Sequence, residues 1–281
     1  MKMKTPQSLF GTALLTLVGC VAAAGSAQAV TYNDGDLFLG FRATGGTGAS
    51  LDYLIDIGQA SLYRDATSSF VLNTSGPNIG NIGADLTALF GSGWSSRSDV
   101  LWEVIGTQKL ASGLDATNTL YASKGETVFG TPESAWAART NSSQGGQTTK
   151  IGSTGMAGAY TSGTNTANSP VGVIQNDSDA NSYNSFQSNI AGNSNVAFGN
   201  YSSAIEGNFG GGPSGTALDL FRATNTTTGS SPHTSDLGFF TADSSGNITF
   251  NVASVPEPAS LTMLGLGGCF LGLVRRRKSL A

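Results

Sequence analysis

The sequence predicts a mainly β body, most simply a sandwich of two packed sheets with a few short helices and a long polar insertion. An N-terminal signal peptide and a C-terminal transmembrane helix are expected to flank it. Three observations carry this. Short runs of alternating apolar residues recur between glycine-rich turns. Charged residues are only 11% of the chain, while Gly, Ser, Thr and Asn abound, a composition suited to strands joined by tight turns. Aromatic and aliphatic residues return in clusters, which separates the body from a disordered chain.

In order, Asp36–Arg42 reads as a strand, with Leu37, Leu39 and Phe41 on one face and Phe38 on the other. Gly45–Gly48 turns the chain into a second strand, Asp52–Gly58, whose Tyr53, Ile55 and Ile57 share a face; together they form a hairpin. Leu86, Leu89 and Phe90 stand at i, i+3 and i+4 in a short helix over 83–90, with Gly91 placed to cap it. Val100–Gly106 alternates as a strand through Val100, Trp102 and Val104. Thr119–Ala122 is a weaker strand, and Ser134–Arg139 is a further short element. Residues 140–170 are almost wholly Ser, Thr, Gly, Asn, Gln and Ala, with Ile151, Met156 and Tyr160 as isolated apolar anchors. They read as a long mobile loop or linker, either an insertion over the sheet or a boundary between halves. Tyr183, Phe186 and Ile190 have helical spacing. Ala217–Arg222 is a strand, and Leu237–Thr241 pairs with Asn247–Val252 around Asp243–Gly246.

Composition narrows the function. Residues 30–255 hold eight basic residues against seventeen acidic ones, a net charge of −9, because six of the chain's fourteen Lys and Arg lie in its terminal segments. An acidic body without a basic patch argues against nucleic acid and anionic lipid as partners. The two cysteines, Cys20 and Cys269, both lie in the terminal segments, so the body has neither disulfides nor thiol chemistry. About 226 residues suffice for one large domain or two small ones.

Catalytic signals are sparse. The single histidine, His233, follows Pro232 in a polar loop, and no Gly-x-Ser-x-Gly elbow supports a triad. A zinc site lacks the ligands it needs, and no cofactor is expected. Glu103, Glu126, Glu133 and Glu206 are the scattered glutamates from which a glycosidase pair would be drawn. Asp177, Asp179 and Asn181 alternate like the first half of a calcium loop, but Ser182 and Ser188 replace the glycine and the distal glutamate that an EF-hand requires. A looser calcium site on that loop is the one metal candidate. Gly45–Gly48 and Gly210–Gly212 lack the lysine and the strand-to-helix setting of a phosphate cradle and read as turns. Trp94, Trp102 and Trp136 offer either a core or a sugar-stacking platform.

The termini say where the body goes. Lys2 and Lys4 precede an apolar stretch from Leu9 to Ala24, and Ala27-Gln28-Ala29 supplies a small-x-small cleavage site, so residues 1–29 read as a signal peptide handled by the Sec translocon and signal peptidase. Leu17-Val18-Gly19-Cys20 also resembles a lipobox, which would make a lipidated Cys20 the new N-terminus. At the other end, Val255-Pro256-Glu257-Pro258 leads into an uncharged apolar run, Ala259–Val274, and then Arg275, Arg276, Arg277 and Lys278. As a helix the run spans about 24 Å, a little short of a bilayer core. Snorkelling and local thinning cover the difference, and the basic cluster stays cytoplasmic.

This tripartite tail, residues 255–281, resembles the PEP-CTERM sorting signal of Gram-negative bacteria. The resemblance implies recognition by an exosortase, a membrane-embedded cysteine enzyme cutting near Pro256–Pro258. It also implies an exported protein from a cell that makes exopolysaccharide. The regions around Gly35–Gly58 and the closing hairpin are similar to those of many uncharacterised PEP-CTERM proteins, a likeness that brings no activity with it. The expectation is a non-enzymatic surface or matrix protein: exported across the inner membrane, transiently anchored there by 259–274, then released to the cell surface, outer envelope or extracellular matrix in association with exopolysaccharide or biofilm. A carbohydrate- or ligand-binding module and a secreted hydrolase are the alternatives. An exposed row of aromatics would mark the first, and two carboxylates converging in a cleft the second.

Overall fold

The computed structural model describes residues 30–186, 205–211, 217–227 and 232–253. The chain is mainly β, as expected. The ten strands among the described residues, however, belong to one continuous antiparallel sheet where the sequence suggested two packed ones. β1 (Asp36–Ala43), β2 (Leu51–Gln59), β3 (Phe70–Val71), β4 (Val100–Gln108), β5 (Thr119–Gly125), β6 (Gly172–Asn176), β7 (Gly207–Asn208), β8 (Ala217–Ala223), β9 (Thr234–Ala242) and β10 (Ile248–Val252) run in the order β3-β10-β9-β8-β5-β4-β1-β2-β6, with β7 on β4. The helices are α1 (Ala60–Arg64), α2 (Ile82–Phe90), α3 (Asn141–Ile151), α4 (Met156–Thr161) and α5 (Tyr183–Phe186).

The sheet curls. Four strands separate β2 from β9, which on a flat sheet would place them roughly 24 Å apart at the usual strand spacing. Yet Tyr63, four residues beyond β2, lies 5.3 Å from the Phe240 ring on β9 and 5.1 Å from Phe250 on β10. The concave side therefore closes on itself and performs the work of two facing sheets. Leu37, Leu39, Phe41, Tyr53, Trp102, Val104, Leu218, Phe240 and Phe250 fill it together with Ile82, Leu86 and Phe90 of α2. Asn81 caps α2 by accepting the Ala84 N–H, and Gly91 ends it at φ +90°. The β1–β2 turn needs Gly48 at φ +83°, because a Cβ there would meet the Phe90 ring at 2.5 Å.

The convex side carries a second core. Phe38, Leu54, Ile105, Leu120, Ala122 and Val173 point outward from the sheet and are covered by Ile151, Met156, Ala157 and Tyr160. This explains why β1 is apolar on both faces. It also corrects the reading of 140–170 as a long loop, since α3 and α4 lie within it and lay its three apolar anchors on the sheet. α3 carries two glycines and no apolar stripe. Its polar side chains replace one: Thr140 caps it, Gln144 Nε2 donates to the Ala223 carbonyl at 2.9 Å, and Thr148 Oγ1 donates to Asn118 Oδ1 at 2.9 Å. Ser134–Arg139, expected as an element, forms none.

Candidate functional site

Among the described residues, two depressions flank the Ser153–Thr154 turn that joins α3 to α4. The larger, about 560 Å³, lies between α4 and the segment from Ile174 to Ser182. Its walls are hydroxyls and amides (Ser162, Gln175, Asn181, Ser182), one carboxylate (Asp179) and the half-exposed Ile174, 41% accessible. The smaller, about 340 Å³, is lined by Tyr32, Asp34, Lys109, Leu110 and the end of α3. Ser153 and Thr154 line both. Tyr32 stacks on Phe38 at 5.7 Å, so its ring is held in place. Asp34 is equally fixed: its carboxylate accepts from Gln108 Nε2 at 2.9 Å, Lys109 N at 2.8 Å and Leu110 N at 2.9 Å.

The calcium candidate sits on the rim of the larger depression. Asp179 Oδ2 accepts from the backbone N–H (3.4 Å) and Nδ2 (3.2 Å) of Asn176. Asn181 takes φ +68°, and Ser182 Oγ donates to the Asp177 carbonyl at 3.0 Å. The segment is thus a pair of hydrogen-bonded turns. Among the described residues no group of three or more His, Cys, Asp or Glu is placed to hold a metal ion.

The fold gathers carboxylates that the sequence left apart. Arg42 donates bidentately to Glu206, both bonds 2.7 Å, and Tyr183 Oη also donates to Glu206, at 3.2 Å. Asp52 is fully buried beside them; Asn184 N donates to its Oδ2 at 2.7 Å, and its Oδ1 has no partner. Burial pushes its carboxyl up to about 7, against the opposing pull of the Asn184 N–H and the Arg42 charge. Asp56 rises to about 7 through burial and the neighbouring Asp36 charge. Asp219 rises to about 7 through burial, reinforced by Glu126 and Asp236. Asp36 thus raises Asp56, and Glu126 raises Asp219, as neighbouring negative charges. None of these seven carboxylates lines either depression.

The tryptophans divide. Trp94 and Trp102 are core residues, packed around Phe209 at 4.9 and 5.5 Å. Trp136 is half-buried under Lys124, whose ammonium lies 5.1 Å from the ring centre. Among the described aromatics only Phe129 is exposed, so no open aromatic row lies on the sheet. His233 precedes β9, and its carbonyl accepts from Thr224 N at 2.7 Å.

The sorting residues Val255–Pro258, the apolar run 259–274, Arg275–Lys278, and Ala27, Ala29 and Cys20 fall outside the described residues. Among the described residues no helix is long and apolar enough to cross a membrane. Residues 254–278 match the family model of the PEP-CTERM protein-sorting motif. No curated protein and no solved structure matches the chain. The motif marks an exported protein that is anchored in the membrane before an exosortase processes it.

Proposed function

We propose that this chain is a non-enzymatic surface or matrix protein whose body, once freed from its membrane tail, associates with exopolysaccharide. The match over 254–278 carries the reading, since it accounts for the segment order Pro-Glu-Pro, apolar run and basic cluster. The signal-peptide character of residues 1–29 supports it from the other end. The body fits a passive role. It has no cysteine between Cys20 and Cys269, its upward-shifted aspartates lie outside both depressions, and the larger depression is lined almost wholly by neutral residues.

Mass spectrometry of the mature protein from cells with an active exosortase tests the processing step. Peptides should end near residue 255, and none should contain Arg275–Lys278. Intact C-termini in such cells overturn it. A translational fusion that places residues 30–255 in the cytosol overturns export itself.

A further inference from the structure

We propose that the two depressions flanking Ser153–Thr154 form one elongated site that binds a neutral polysaccharide chain. This rests on the matrix-associated reading above and names the surface that would perform it.

The depressions share Ser153 and Thr154 as lining residues, so an extended chain laid across that turn would enter both, as one groove. With volumes of about 560 and 340 Å³, each is within the size range of small-ligand sites. A pyranose presents hydroxyls around its edge and C–H groups on its faces. The groove offers both complements. Ser162, Asn181 and Asp179 supply donors and acceptors at one end; Asp179 Oδ2 is engaged by Asn176, which leaves Oδ1 for a ligand hydroxyl. The fixed ring of Tyr32 and the side chain of Leu110, 68% exposed, supply apolar surface at the other, and Ile174 supplies it on the polar side. Charge sets the sign of the ligand. Lys109 is the only cation on the two walls, against Asp34 and Asp179, and the body carries −9. A polyanion would be repelled, whereas a neutral hydroxylated polymer meets no such penalty.

The test is affinity electrophoresis of the full chain, purified in detergent, through gels cast with dextran, galactomannan or xylan and, separately, with alginate. Retardation is expected in at least one neutral gel and not in alginate. Ser162→Trp blocks the larger depression and Thr149→Trp the smaller; both positions are exposed, and each variant should weaken retention at least tenfold while melting at the wild-type temperature. Should a tryptophan disturb folding, Asp179→Asn tests the same wall without added bulk and should weaken retention severalfold. Free passage through every neutral gel overturns the proposal, as does stronger retention by alginate or unchanged retention in the folded variants. Co-sedimentation with the exopolysaccharide of producing cells separates the two readings. Loss in both blocked variants supports the groove. Binding retained by both overturns the groove and leaves matrix association standing, and absence of binding by the wild type overturns the association.

Discussion

Asp115 joins two arginines and a tyrosine at one buried carboxylate. It sits in the 109–118 loop, yet it accepts from Arg64 of α1 and Arg222 of β8, each at 2.6 Å, and from Tyr121 of β5 at 2.8 Å. Removing this buried carboxylate takes the acceptor from the Tyr121 phenol and leaves Arg64 with only Asp65 and Arg222 with only the Leu114 carbonyl, which costs far more than losing an exposed pair. Asp115→Ala is therefore expected to destabilise the protein by about 2–4 kcal/mol, read from urea unfolding, whereas Asp65→Ala, at the half-exposed Arg64–Asp65 pair, should change it by roughly 0–1 kcal/mol. Gly40 is a steric counterpart. The Tyr183 ring lies against its backbone, and a Cβ would meet that ring at 2.6 Å. Gly40→Ala should cost about 1–3 kcal/mol in the same assay, with near-wild-type stability the result that would contradict the contact. Neither role was legible in the sequence. An aspartate in a polar loop and a glycine in a strand look ordinary until the register brings Arg222 and Tyr183 to them.

Among the elements, legibility followed apolar periodicity. β10 alternates Ile248, Phe250 and Val252, and its hairpin with β9 forms as expected. The β1–β2 hairpin and α2 likewise show in their patterns. β6 did not, because five residues after Pro170 give too short a run. Neither did α1, which continues directly from β2 with only Ala60 and Tyr63 buried. α3 was hidden for another reason. Its buried positions are Gln144, Thr148 and Ile151, so two of three are polar and held by hydrogen bonds that no hydropathy pattern records. The groove was hidden similarly, since its walls are small polar residues from segments far apart in sequence. A helix of this kind is marginal in itself, which makes it improvable. Nothing lies within 4 Å of a Cβ placed on Gly146, whereas Gly145 packs near Asn118 Nδ2 at 3.1 Å. Gly146→Ala should then stabilise the protein by about 0.5–1 kcal/mol by thermal unfolding, because it removes unfolded-state freedom without a clash. Tyr160→Ala should do the reverse. Its ring is buried 5.0 Å from Phe38 and its hydroxyl donates to the Val171 carbonyl at 2.8 Å, so about 3–5 kcal/mol is expected, with faster hydrogen exchange across α3 and α4.

For the molecule as a whole, the buried carboxyls decide how stability responds to pH. Asp52, Asp56 and Asp219 each have a folded-state value of about 7, well above the roughly 4 of an unfolded aspartate. The folded form thus holds more protons than the unfolded form between those limits. By linkage, the protonated carboxyls' contribution is fully present below about pH 4 and is lost as pH rises through about 7. Asp65, Asp99, Glu133 and Asp243 are shifted down by hydrogen-bond partners and pull the other way, but only as pH falls below the ordinary carboxylate range. They are more exposed, so their pull is weaker. The melting temperature is consequently expected to be highest near pH 4–5 and to fall steadily towards pH 8. Asp52→Asn isolates the desolvation of a single fully buried site, since the amide keeps an oxygen for the Asn184 N–H and carries no charge. It should flatten that decline and raise the melting temperature at pH 8 relative to wild type while changing it less at pH 4. A wild-type melting temperature that rises from pH 5 to pH 8 would mean that these carboxyls ionise in the folded body without penalty, and that the polar ends of its outer core are open to water.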